Sequence, residues 1–186
     1  GHDSTLPATM EMMVLFVEAV CRGLDHVDPK ERVPLVVGDM PLGSYQPSDS
    51  LAVANACCLV RAGADVVKIE GCTDLVLERV SAVSQAGIGV VSHLGLQPQQ
   101  KALVGGWKVQ GKTVEDAWEL RDDVEAVCAA GAQLVLVEAV PAEVAGWFVA
   151  TRTGDRGVPV SGIGAGPEVD GQLLVLSDLV GEFRPF

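Results

Sequence analysis

GADVVKIEGC, residues 63–72, decides the fold. The run begins as a buried strand and ends by alternating Lys68, Ile69 and Glu70. Side chains along a strand point to opposite faces in turn, so Val67 and Ile69 take one face while Lys68 and Glu70 share the other. Two opposite charges therefore meet at one end of an apolar strand. Desolvating them costs on the order of several kcal/mol unless they pair or bind something. The pair reads either as a structural ion pair or as part of a ligand site.

Outward from this stretch, short Val-, Leu- and Ile-rich runs alternate with segments of helical period. VPLVVGDM (33–40), ADVVKIEG (64–71), GIGVVSHL (87–94), QLVLVEAV (133–140) and VPVSGIGAG (158–166) read as strands, with LLVLSD (173–178) as a further candidate. Between them lie PSDSLAVANACCLVRAG, TDLVLERVSAVSQAG and TVEDAWELRDDVEAVCAAG. Each carries Ser, Thr or Asp at its start and a glycine at its close, the signals of a helix that begins and stops there. The pattern is βαβα. Near-continuous apolar strands covered by helices predict a parallel sheet with both faces buried.

Polar residues recur at the strand ends. Asp39 closes the first run, Lys68 and Glu70 the second, His93 the third and Glu138 the fourth. In parallel α/β folds the C-terminal strand ends converge on one rim, where ligands bind. The five are thus expected to face one mouth. A dinucleotide-binding sheet would place a Gly-rich turn after its first strand, but GIGAG (162–166) comes late and lacks GxGxxG spacing. Functional residues on strand after strand predict a (β/α)8 barrel instead.

Composition bounds the rest. The chain has 186 residues, 48% of them hydrophobic, enough for one core in one domain. A formal net charge of −12 argues against nucleic acid or an anionic membrane as partner. No apolar run is long enough to span a bilayer, and the N-terminus lacks signal-peptide regions. Cys21, Cys57, Cys58, Cys72 and Cys128 form no CxxC, which fits small packing residues in a reducing cytoplasm. A barrel of this kind needs about 250 residues, so about six strands predict an incomplete one, lacking its first strands and C-terminal helices.

GHDSTLPAT, VVGDMPLGSY, AGADVVKIEG, SHLGLQPQ, GGWKVQG, AGAQLVLVEAVP and GIGAGPEVDGQLLVLSD, in this order, resemble the ketopantoate hydroxymethyltransferase family over nearly the whole chain. The resemblance implies a (β/α)8 barrel of the phosphoenolpyruvate/pyruvate superfamily, assembled as a homo-oligomer, a decamer in the family. It implies transfer of a hydroxymethyl group from 5,10-methylenetetrahydrofolate to 3-methyl-2-oxobutanoate, giving 2-dehydropantoate in pantothenate biosynthesis, with Mg²⁺ or another divalent ion.

By position in these motifs, Asp39 and Glu70 match the metal-site carboxylates, and hard oxygen ligands suit Mg²⁺. Asp39, Lys68 and His93 match substrate contacts, and Glu138 the general base. Trp107, in the glycine-rich loop 97–111, is read either as a stacking surface for the pterin or as a residue packed on the rim. Glu115, Asp116, Glu119, Asp122, Asp123 and Glu125 read as a solvated helix face. Two departures stand out: a GDS-type motif expected just before GHDSTLP is absent from this sequence, and Cys72 replaces the second glycine of KIEGG, which is expected to narrow the space beside Glu70. A non-catalytic remnant that assembles without turnover, and a related superfamily C–C lyase acting on a 2-oxo acid, remain as alternatives.

Overall fold

The computed structural model describes residues 4–28, 34–102, 106–151 and 157–182. Val33 of the first expected strand, the first residues of GHDSTLPAT, residues 103–105 of the glycine-rich loop and the last four of GEFRPF lie outside them.

The elements, in order, are α1 (Met10–Leu24), β1 (Val37–Asp39), α2 (Asp49–Arg61), β2 (Val66–Glu70), α3 (Asp74–Gln85) and β3 (Gly89–Gly95). A 3₁₀ turn, Pro98–Gln100, leads to α4 (Val114–Ala130), β4 (Leu134–Glu138), α5 (Ala142–Thr151), β5 (Val160–Ile163), β6 (Gly171–Gln172) and α6 (Leu176–Leu179). All six strands form one sheet in sequence order, and every neighbouring pair is parallel. Among the described residues this is an open parallel half-barrel of six strands, as the sequence pattern predicts for an incomplete barrel.

The helices start where the sequence signals them. Ser48, Thr73 and Thr113 each accept a hydrogen bond from a backbone N–H in the first turn of α2, α3 and α4. Such caps are worth about 1 kcal/mol each. Thr113 and Asp116 complete a reciprocal capping box.

Strand alternation then divides the sheet. Val67, Ile69, Val90, Leu94, Val135 and Val137 are buried toward the helices, against Ala52, Ala56 and Leu59 of α2 and Val76, Val80 and Val83 of α3, all within one core cluster. Burying each large aliphatic side chain contributes about 1.5–3 kcal/mol. The opposite faces of the same strands present Val37, Lys68, Val91, Leu136 and Ser161 to a concave cavity of about 380 Å³.

Two expectations change. LLVLSD is not a strand: pairing runs through Gly171 and Gln172 to the bond from Leu173 N to Gly162 O, and the chain then turns into α6. Leu174, Val175 and Leu176 are 61, 49 and 70% exposed, so among the described residues no neighbour buries a face of this run as it would a strand's. The helix α5 was unmarked in the sequence because AEVAGWFVAT is almost wholly apolar and shows no polar face, although Ala145 and Phe148 are its buried side.

Candidate functional site

Register brings the strand-end residues together. Asp39 pairs with Lys68, Glu70 with His93, and Gly95 with Glu138 across three successive strand pairs. Because the strands are parallel, these positions fall on one rim. All five predicted side chains meet there.

They form an unbroken polar row. Lys68 Nζ lies 2.9 Å from Asp39 Oδ2 and 3.7 Å from Glu70 Oε1. His93 Nδ1 lies 3.5 Å from Lys68 Nζ and 3.6 Å from Glu70 Oε1. On its other side His93 Nε2 is 3.1 Å from Glu138 Oε2, within ion-pair distance but out of hydrogen-bond alignment. The centre of the row is closed and its ends are open: the Glu70 and His93 side chains are 2% and 1% exposed, those of Asp39 and Glu138 42% and 20%.

Electrostatics follow from this packing. Burial raises Glu70, but the adjacent His93 ring, the Lys68 ammonium and the backbone N–H of Gln99 outweigh it and hold the carboxyl below its ordinary value. Burial lowers His93, yet the Glu138 and Glu70 carboxylates outweigh it and raise the imidazole, against the opposing charge of Lys68. Asp39 is raised, chiefly by burial, despite the ammonium beside it. Its buried Oδ1 has no hydrogen-bond partner among the described residues.

Sequence reasoning missed two residues that touch the row. Gln99 donates its backbone N–H to Glu70 Oε2 at 3.0 Å and its side-chain Nε2 to Met40 O at 2.9 Å. The Tyr45 hydroxyl lies 3.2 Å from both Glu70 O and Gln99 Oε1. Both residues are buried. Neither is charged, and both sit in loops, so only GSY and QPQ, following the β1 and β3 runs, could have pointed to them.

Other expectations resolve away from the row. Trp107 is 56% exposed, with Lys101 Nζ 4.5 Å over its ring rather than packed into the rim. Glu115, Asp116, Glu119, Asp122 and Glu125 are exposed, whereas Asp123 is half-buried. Gly166 packs against α5, where a Cβ would collide with Ala142. Cys72 does not narrow the space beside Glu70, because its Sγ turns to the Asp123 carbonyl of α4 at 3.5 Å.

All five cysteines are free. Burial, then the nearby Asp123 and Asp74 charges, push the Cys72 thiol up to about 12. At pH 8 its thiolate fraction would be about 10⁻⁴, and only the thiolate alkylates. Iodoacetamide is therefore expected to modify the exposed Cys58 well before Cys72, as read by peptide mass mapping. Equal rates would contradict the burial of Cys72.

Among the described residues no group of three or more His, Cys, Asp and Glu is placed to hold a metal. Mg²⁺ asks for less, one or two carboxylates beside waters and substrate oxygens. Asp39 and Glu70 meet that requirement, and the unpartnered Asp39 Oδ1 is a free hard donor.

The sequence pattern of ketopantoate hydroxymethyltransferases matches residues 1–186. The chain belongs to the ketopantoate hydroxymethyltransferase family. A relative from Ignicoccus hospitalis, named 3-methyl-2-oxobutanoate hydroxymethyltransferase, is 45% identical over 186 residues, covering 100% of this chain and 66% of that protein. The chain spans about two thirds of the length of the curated family members it matches. Among solved structures, oxaloacetate acetylhydrolase in complex with the inhibitor 3,3-difluorooxalacetate superposes with a TM-score of 0.66 at 14% identity, covering 98% of this chain and 65% of that one. Phosphonopyruvate hydrolase in complex with oxalate and Mg²⁺ gives a TM-score of 0.57 at 14% identity, covering 84% and 52%. At such identities the likeness concerns the fold alone.

Proposed function

We propose that the chain carries the reaction of its family: transfer of a hydroxymethyl group from 5,10-methylenetetrahydrofolate to C3 of 3-methyl-2-oxobutanoate, giving 2-dehydropantoate for pantothenate biosynthesis. Residues 1–186 form one domain, part of a (β/α)8 barrel of the phosphoenolpyruvate/pyruvate superfamily. The observation that carries this reading is the continuous row Asp39, Lys68, Glu70, His93 and Glu138 over four neighbouring strand ends. Beside it opens the cavity of about 380 Å³ that Lys68 helps to line, a size suited to a small ligand.

Asp39 and Glu70 are the residues that would hold Mg²⁺. When bound, such an ion polarises the keto oxygen of the substrate. Lys68, already pointing between the two carboxylates, adds positive charge where the enolate oxygen develops. Glu138, at the open end of the row, takes the C3 proton, and the C–H electron pair becomes the enolate double bond. His93 stands between Glu70 and Glu138 and orients both the base and the keto acid. The enolate then takes up the one-carbon unit of the folate through a new C–C bond, both C–N bonds of the methylene break, water supplies the hydroxyl oxygen, and tetrahydrofolate leaves with N5 and N10 protonated. We place the protein in the cytoplasm as a homo-oligomer, a decamer in the family; its net charge of −12 supports small-molecule partners over nucleic acid or anionic membrane.

Enolisation precedes folate chemistry, so it can be tested alone. The chain with Mg²⁺ is expected to exchange the C3 proton of 3-methyl-2-oxobutanoate in deuterated water without folate, followed by proton NMR. Absence of exchange above the rate with Mg²⁺ alone, from folded chain, would sink the reading.

A further inference from the structure

Glu70 is held from behind. Its Oε2 accepts the backbone N–H of Gln99, so only Oε1 is turned to Lys68 and His93. Gln99 is in turn fixed by its side chain, which donates to Met40 O and accepts from Tyr45, whose hydroxyl also reaches Glu70 O. Tyr45 follows β1 and Gln99 follows β3, while Glu70 ends β2 between them. The two loops are therefore joined across the end of the middle strand. The turn also lies directly on Gly71, where a Cβ would stand 3.0 Å from Gln100 Nε2 and 3.3 Å from Gln97 Oε1.

Stability alone does not account for this network. Tyr45 is 1% exposed and Gln99 9%, and buried hydrogen bonds of neutral groups add little net free energy over apolar residues of the same shape. What the bonds supply is geometry. A carboxylate with both oxygens loose could rotate toward Lys68 or His93. With Oε2 committed to a backbone donor, it presents one oxygen in one direction.

We infer that Tyr45 and Gln99 are paired positioning residues that fix the Glu70 carboxylate with Oε1 alone facing the substrate side of the row. The inference rests on the reading of Glu70 as a site carboxylate, but its readout does not require turnover. The chain has three histidines, His2, His26 and His93, so the His93 ring nitrogens can be assigned in ¹⁵N imidazole spectra by removing His2 and His26 one at a time. His93 Nδ1 reports on Glu70 Oε1 directly.

At fixed pH, Tyr45→Phe and Gln99→Leu are each expected to move the His93 ¹⁵N signals in the same direction. The double variant is expected to move them no further than the larger single change, because either loss releases the same carboxylate. C3 proton exchange is expected to fall about tenfold or more in each, with keto-acid affinity kept within about threefold, the mark of lost positioning rather than lost binding. Unmoved His93 signals in variants with native circular dichroism would overturn the inference, as would single effects that simply add. If Gln99→Leu fails to fold, Tyr45→Phe, which removes one oxygen, decides the matter alone. Shifted His93 signals in a chain whose unsubstituted form shows no exchange would uphold the positioning and sink the transfer reaction.

Discussion

Replacing Glu138 by Gln is expected to slow C3 proton exchange of 3-methyl-2-oxobutanoate about 10³-fold, roughly 4 kcal/mol of barrier, while leaving its affinity within about threefold. Gln keeps the volume and one carbonyl oxygen near His93 Nε2, now 3.1 Å from the carboxylate, and removes only the basic oxygen. A base acts on the transition state, so the loss should appear in the rate and not in binding. Glu119→Gln, on the exposed face of α4, should change neither. Calorimetry showing that Glu138→Gln weakens binding as much as it slows exchange would move Glu138 from base to substrate contact.

Gly95→Ala should be the most damaging single methyl in the sheet. Gly95 has φ 81°, a conformation that costs an L side chain about 1–2 kcal/mol. The added Cβ would also collide with the backbone oxygen of Glu138 and come within 2.9 Å of Val140 Cγ2. That oxygen already accepts the Leu96 N–H at 2.8 Å, so β4 cannot retreat without losing a bond. A total loss of about 3 kcal/mol is expected, a large share of the stability of an ordinary domain. Gly43→Ala is the control: its φ is 88° but nothing lies within 4 Å of the new methyl, so it carries the conformational cost alone. Urea midpoints that fall equally in the two variants would show that the β3–β4 contact is soft. The same collision displaces Glu138 from His93, so proton exchange should fail in whatever fraction of Gly95→Ala remains folded.

Much of the fold was legible because its signals are local. Apolar runs such as ADVVKIEG and caps such as Thr113 act over a few residues, and the strands and helices appear close to where those signals lie. The convergence of Asp39, Lys68, Glu70, His93 and Glu138 was legible because parallel pairing turns a place along each strand into a place on one rim. What was not legible depends on packing at a distance. LLVLSD is as apolar as a strand, but no neighbour among the described residues covers it, and it turns into α6. AEVAGWFVAT has no polar face to reveal its period. Tyr45 and Gln99 are neutral loop residues, and only the fold brings them over Glu70. The side chain of Cys72 turns to α4, a choice of face that KIEGC alone does not reveal.

Every strand pairing in this sheet is parallel and spans an intervening segment, most often a helix, and the largest gap separates Val91 from its partner Leu134, across the segment that carries the 3₁₀ turn and α4. Closing a longer flexible loop costs little more than closing a short one, roughly 0.6 kcal/mol for each doubling of length. Added length in an irregular part of the excursion after β3 therefore costs little folding free energy, while the excursion supplies the Gln99 N–H that Glu70 uses and, in α4, the buried Leu120 and Val127. Length between the first few residues after Gly95 and the start of α4 can therefore drift at small thermodynamic cost, so long as those residues and the buried face of α4 keep their places. Selection on this connection should fall on where it begins and on the helix it carries, and not on the length between them.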